Sequence, residues 1–304
     1  MAAFQCLPQF ACVVGRQAGS HPGSYQCHAP TLTAAGSGGR YARWVKLTGG
    51  LDIEAGGLAG RLYASVAPAA ESPSQTFVLL HGIGVSHRYL ARLHQELALT
   101  ATVYSFDLPG FGDAPRPKRQ VPVGEYAAFV RAALVDAGVT SCVVIGHSMG
   151  TQHAVELALQ EPELVAGVVL MGPVVDPRRK SVAQQALALT RDSMFSESLS
   201  ANAIVFSDYF RAGPRWYLTE LPVMMQYPLE ARIPGVSQPV LILRGSKDPV
   251  AGREWCRRLA AQAARGSLTE IPGQGHVFQH TATGPAAAAI TSWARAVDGF
   301  GITA

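Results

Sequence analysis

Residues 142–150 read Cys142-Val143-Val144-Ile145-Gly146-His147-Ser148-Met149-Gly150. Four apolar residues in a row suit a strand buried on both faces, and the Gly-x-Ser-x-Gly that follows suits a sharp strand-to-helix turn. Such a turn holds the serine hydroxyl out of the fold, and glycines at 146 and 150 let strand and helix backbones approach where a Cβ would collide. With 31 glycines in 304 residues the pentapeptide is weak by itself. Its context strengthens it: a strand before, and the helix-like Thr151–Gln160 after.

Outward from this point, short apolar runs alternate with helical stretches. The strand candidates are Leu58–Val66, Phe77–Leu80, Val103–Phe106, Cys142–Ile145, Gly167–Met171, Val240–Leu243 and Leu268–Ile271. Helices are predicted over Tyr89–Ala98, Gly124–Asp136, Thr151–Gln160, Arg253–Gln262 and Pro285–Ala296. That alternation points to an α/β fold with a mostly parallel sheet covered on both faces. It breaks at about 174–233, where helix-length segments (Val182–Arg191, Leu199–Phe210) carry Met194, Phe195, Phe206, Tyr209, Phe210, Trp216, Tyr217, Met224, Met225 and Tyr227. We expect an inserted helical lid there, its bulky side chains packing inward and a few of them walling an apolar pocket. Residues 1–43, rich in Gly, Ser, Ala, Pro and Gln, read as a flexible extension, with the folded domain spanning 44–304.

Composition narrows the class. A hydrophobic content of 48% with 15% charged residues fits a compact enzyme. A net charge of +4, spread along the chain, gives no reason to expect nucleic acid as a partner. Five cysteines (Cys6, Cys12, Cys27, Cys142, Cys256) show no metal-ligand spacing and imply free thiols in a reducing compartment. Met1–Gly15 lacks a positive leader start, and no run reaches the roughly 18–20 apolar residues of a membrane span. A cytoplasmic location is the expectation.

The loops that follow the strands carry the chemistry. Acyl transfer by a serine needs a nucleophile, a base, a group that orients the base, and donors for the oxyanion. Ser148 is the candidate nucleophile. His276, in the glycine-rich Pro272-Gly273-Gln274-Gly275-His276 after the last strand, is the candidate base, with His280 as its near rival. Asp248, in Gly245-Ser246-Lys247-Asp248 after the strand Val240–Leu243, is the candidate acid, with Asp176 as backup. The backbone N–H groups of Met149 and of Ile83, in His81-Gly82-Ile83-Gly84, are the candidate oxyanion donors. His81 is read as holding that loop by hydrogen bonds. Asp107 and Asp113, in Asp107-Leu108-Pro109-Gly110-Phe111-Gly112-Asp113, are read as turn formers.

Together these motifs, in the order Ser…Asp…His, resemble the α/β-hydrolase superfamily, in particular its lid-bearing esterase and lipase-like branch. The resemblance covers about Trp44 to Arg295. It implies an ester hydrolase acting through an acyl-enzyme on a small apolar ester, with no cofactor and no metal. Serine at 148 argues against the epoxide hydrolases and haloalkane dehalogenases, which carry aspartate there. C–C bond hydrolysis and acyl transfer on the same constellation remain open, as does a non-catalytic ligand-binding role.

Overall fold

Apolar runs without polar alternation must be covered on both faces, and the strands at the centre of the sheet obey that rule. In the computed structural model, which describes residues 49–66, 75–179 and 199–298, the strands are β1 (Leu51–Ala55), β2 (Leu58–Ser65), β3 (Thr76–Leu80), β4 (Thr102–Asp107), β5 (Cys142–His147), β6 (Val165–Met171), β7 (Pro239–Gly245) and β8 (Arg265–Ile271). They form one sheet in the order β1-β2-β4-β3-β5-β6-β7-β8. The β1–β2 and β2–β4 pairings are antiparallel and the rest are parallel.

Side chains on successive strand residues enter different cores. Val78, Leu80, Val144, Val168, Leu170, Val240 and Ile242 face one core. Phe77, Leu79, Val143, Ile145, Val169, Met171, Leu241 and Leu243 face the other. The first core is roofed by α2 (Val123–Asp136), α3 (Gly150–Gln160) and α7 (Arg253–Gln262), through residues such as Tyr126, Phe129, Val155, Leu157, Trp255 and Leu259. The second is roofed by α1 (His87–Leu97), the short α8 (Phe278–Thr281) and α9 (Thr283–Asp298), through Leu90, Leu93, Leu97, Phe278, Ala287 and Ile290.

The strand order places the functional end of the sheet. From β3 the chain crosses through α1 to β4 on one side, and from β5 it crosses through α3 to β6 on the other. Loops leaving the carboxyl ends of β3 and β5 therefore diverge and open a crevice between them. That crevice flanks the segment quoted above.

Among the described residues, three α-helices lie between β6 and β7: α4 (Leu199–Ala212), α5 (Pro214–Gln226) and the short α6 (Leu229–Arg232). Polar anchors tie them to the sheet end. Asp208 of α4, buried, accepts from Ser86 Oγ at 2.6 Å and Arg88 Nη1 at 2.9 Å at the start of α1. Arg211 pairs with Asp113. Gln152 of α3 donates to the carbonyls of Val174 (3.1 Å) and Met224 (2.9 Å). Glu220 of α5, fully buried, accepts from the Val121 amide at 3.1 Å.

The remaining expectations for this region divide. The extension 1–43, Trp44, the helix Val182–Arg191, Met194 and Phe195 lie outside the described residues. Trp216, Met224 and Met225 are buried as expected, but Phe210 is 84% exposed. The helix Leu199–Phe210 is present and runs on to Ala212. The edge strand β1 was absent from the sequence reading, which began the sheet at Leu58.

Burial pushes the Glu220 carboxyl up to about 7 from 4.5. A raised acid binds its proton more tightly in the fold, so its stabilising contribution is complete below about pH 4.5 and is lost as pH rises through 7. Glu220→Gln keeps the acceptor for Val121 and removes the ionisation. Thermal unfolding should show the variant a few degrees more stable than wild type at pH 8 and nearly equal to it at pH 4. An equal difference at both values would contradict the assignment.

Candidate active site

The turn at Ser148 is built from close backbone contacts. Ser148 has φ +54, the single described non-glycine residue with positive φ. Its N–H donates to the Met171 carbonyl at 2.9 Å, pinning the turn to the end of β6. A Cβ at Gly146 would lie 2.1 Å from the Gly150 carbonyl oxygen, and one at Gly150 would lie 2.2 Å from that of Leu80. Neither position accepts any residue but glycine, the reason the sequence pattern proposed. Met149 follows in helical conformation as the N-cap of α3. Its N–H therefore belongs to the first helical turn, whose amides have no partner within the helix.

His81 directs the facing loop. Its Nε2 accepts the Leu108 N–H at 3.1 Å, so the proton is on Nδ1, which donates to the Gly82 carbonyl at 2.7 Å. Burial holds the imidazole below its ordinary pKa and keeps it neutral. In a trans peptide the carbonyl of Gly82 and the N–H of Ile83 point in opposite directions. Holding the carbonyl toward His81 aims the Ile83 amide away from it. Gly82 packs so tightly on the turn that a Cβ there would lie 3.0 Å from Ser148 Cβ and 3.5 Å from its Oγ. The two candidate donors and the candidate nucleophile thus come from adjoining loops.

Across the site, His276 and Asp248 meet. The His276 Nδ1 to Asp248 Oδ2 distance is 2.8 Å, and both residues are buried. The other carboxylate oxygen accepts the amides of Val250 (2.8 Å) and Ala251 (2.9 Å). Burial alone raises the Asp248 carboxyl, but the charge and hydrogen bond of His276 and the two amides hold it below the ordinary range. It stays ionised, and its Oδ2 is left for the imidazole. His280 is buried as well; burial and the nearby Arg92 push it down to about 4. Asp176 is likewise committed elsewhere, to Arg258 at 2.8 Å.

Two further residues complete this half and were missed in the sequence. Buried Arg244 of β7 donates to the carbonyls of Ala251 (2.8 Å) and Asp248 (3.2 Å) and pairs with Glu270, clamping the loop that carries Asp248. Gly172, φ +55, lies beneath the imidazole: a Cβ there would lie 2.8 Å from His276 Cε1 and 3.4 Å from Asp248 Oδ2. Only the glycine following Met171 hinted at it.

Asp107 does more than form a turn. Fully buried, it accepts from the His87 amide and Nδ1 at 2.8 Å each, from Tyr63 at 3.2 Å and from the Asp113 amide at 3.0 Å. It is a bolt joining β2, β4 and α1 behind the site. Asp113 does form a surface contact, to Arg211. Over the crevice, Tyr209 and Tyr217 close on Gly84, where a Cβ would lie 2.4 and 3.0 Å from their rings.

Among the described residues no group of histidine, cysteine and carboxylate side chains could hold a metal ion, and no helix is long and apolar enough to cross a membrane. The family's sequence profile matches residues 77–289. The chain belongs to the alpha/beta hydrolase family. Over 94 residues the chain is 33% identical to an uncharacterized protein of Mycobacterium tuberculosis, a stretch that is 31% of this chain and 28% of that protein. The matched stretch thus spans under a third of the length of that relative. A putative carbamate hydrolase of a Caulobacter species is 24% identical over 246 residues, 73% of this chain and 91% of the relative. Among solved structures, a thermophilic esterase from Thermogutta terrifontis superposes with a TM-score of 0.68 at 19% identity, covering 82% of this chain and 99% of the other. That likeness establishes the fold.

Gly172→Ala should force a left-handed alanine, costing about 1–2 kcal/mol, and drive its Cβ into the imidazole. We expect the far-downfield proton resonance of the His276–Asp248 hydrogen bond to vanish in this variant, as it would in Asp248→Ala. A resonance unchanged by Gly172→Ala would contradict the packing described.

Proposed function

We propose that this hydrolase cleaves a carboxylic ester, or a related acyl compound, through a Ser148 acyl-enzyme. The observation that carries the reading is the 2.8 Å pairing of His276 with an ionised Asp248, across the crevice from a serine held in a left-handed turn. Asp248 fixes the proton of His276 on Nδ1, which leaves Nε2 as the basic atom. Ser148 Oγ attacks the carbonyl carbon while its proton passes to Nε2. The amides of Ile83 and Met149 receive the oxyanion. His276 then protonates the leaving alcohol, the C–O bond breaks, and the acyl group stays on Ser148. Water, deprotonated by His276, repeats the attack and releases the acid. Asp248 remains a carboxylate throughout and stabilises the imidazolium.

The inserted helices serve as a lid in this reading, with Tyr209 and Tyr217 as an aromatic wall above the Ile83–Gly84 loop. Such a wall favours a small apolar acyl or alcohol group. Buried, unpaired Cys142 and Cys256 support a reducing, cytoplasmic setting. The reaction needs no metal or cofactor, because nucleophile, base and oxyanion donors all come from the chain.

Hydrolysis of p-nitrophenyl esters from acetate to palmitate tests the proposal. We expect turnover with a preference for one chain length, and a loss of at least about a thousandfold in Ser148→Ala. Activity that survives that substitution would refute the serine mechanism. Supplying alcohol or thiol acceptors separates hydrolysis from acyl transfer: the proposal expects free acid to dominate.

A further inference from the structure

His147, the residue just before Ser148, is nearly solvent-free at 1% exposure. Its Nε2 lies 3.0 Å from the main-chain carbonyl oxygen of His276. A carbonyl only accepts, so the proton is on Nε2 and Nδ1 is the bare nitrogen. Among the described residues Nδ1 has no hydrogen-bond partner and is sealed from solvent. The ring's one hydrogen bond therefore goes to the backbone of His276. A buried imidazole with one nitrogen unsatisfied costs free energy, and an aromatic hydrocarbon would fill the same space without that cost.

The surroundings fix the ring. Its centroid lies 4.8 Å from that of His276, 5.1 Å from Tyr89 and 6.4 Å from Phe278. Burial, with the His276 charge beside it, pushes its pKa down to about 3, so it stays neutral through the working range. Its donor does not switch with pH.

We infer that His147 is a positioning residue that sets the spacing between Ser148 and His276 through its hydrogen bond to the His276 carbonyl. His276 is then held at two points: its side chain by Asp248 on the loop after β7, and its main chain by the residue covalently joined to Ser148. Any sliding of the loop after β8 is referred directly to the serine. The inference rests on the serine mechanism proposed above. The residue acts through His276, as a positioning group.

The test compares His147→Phe, which fills the space without a donor, with His147→Gln, whose side-chain amide nitrogen can stand in for Nε2. Ser148→Ala is run beside them on the best p-nitrophenyl ester. A displacement near 1 Å at a reacting group costs about a hundredfold. We expect His147→Phe to lower kcat by about ten- to a hundredfold with KM within about twofold, and to slow fluorophosphonate labelling of Ser148 in proportion. His147→Gln should restore most of the loss. Nitrogen-15 NMR of the wild-type protein should show His147 as the neutral Nε2–H tautomer from pH 5 to 9, a readout that needs no variant to fold. Wild-type kcat in the Phe variant, a Gln variant as slow as Phe, or an Nδ1–H tautomer would each overturn the inference. Ester turnover that survives in Ser148→Ala would instead overturn the serine mechanism, and the inference with it.

Discussion

Everything at the carboxyl end of this sheet depends on one backbone constraint, the contact of three chain segments at Gly146, Gly150 and Leu80. With no Cβ at either glycine, β5 turns into α3 against the end of β3 at separations no side chain permits. The turn forces Ser148 to φ +54, where a residue with a Cβ is strained by about 1–2 kcal/mol. The surrounding contacts, the Ser148 amide on Met171 among them, over-determine the turn and offset that strain. Because β3 and β5 carry the chain in opposite directions across the sheet, the same contact brings the Ile83 loop to the serine.

Buried neutral histidines are the second organising device. His81, His94, His147 and His153 are all lowered by burial, and at least three of them hold backbone or hydroxyl groups. His81 bridges Leu108 and Gly82, His94 lies between Ser105 and Ser65 at 2.7 and 2.9 Å, and His147 holds His276. Burial disfavours the charged form of each, and the partners of His81 and His147 fix their tautomers. His276 differs from these four in being paired with a carboxylate, Asp248, at 2.8 Å. Ion pairs also fasten the inserted helices, at Asp208 with Arg88 and at Arg211 with Asp113.

How much of this was legible in sequence follows from the range of each interaction. The parallel strands announced themselves because burial on both faces demands unbroken apolar runs. The edge strand β1 did not, since Leu51-Asp52-Ile53-Glu54-Ala55 is short and half exposed. Its signal was the Gly56-Gly57 pair, both at positive φ, between two alternating stretches. Ser148, Asp248, His276 and the Ile83 loop stood out as candidates because each lies just past a strand end, in motifs complete within a few residues. Arg244, Gly172 and the reach of His147 to His276 could not, because their partners are between 4 and 129 residues away and join only through the sheet. Asp107 was undervalued for the same reason: its local glycines spelled a turn, while His87 and Tyr63 arrive from other elements.

The most direct test of the account is covalent capture of the nucleophile. The wild-type protein would be treated with a fluorophosphonate, and the modified peptide located by mass spectrometry, with His276→Ala treated alongside. The account predicts one adduct, on the peptide bearing Ser148, formed at least about a hundredfold more slowly in the variant. An adduct on another residue, or labelling at an equal rate without His276, would contradict it.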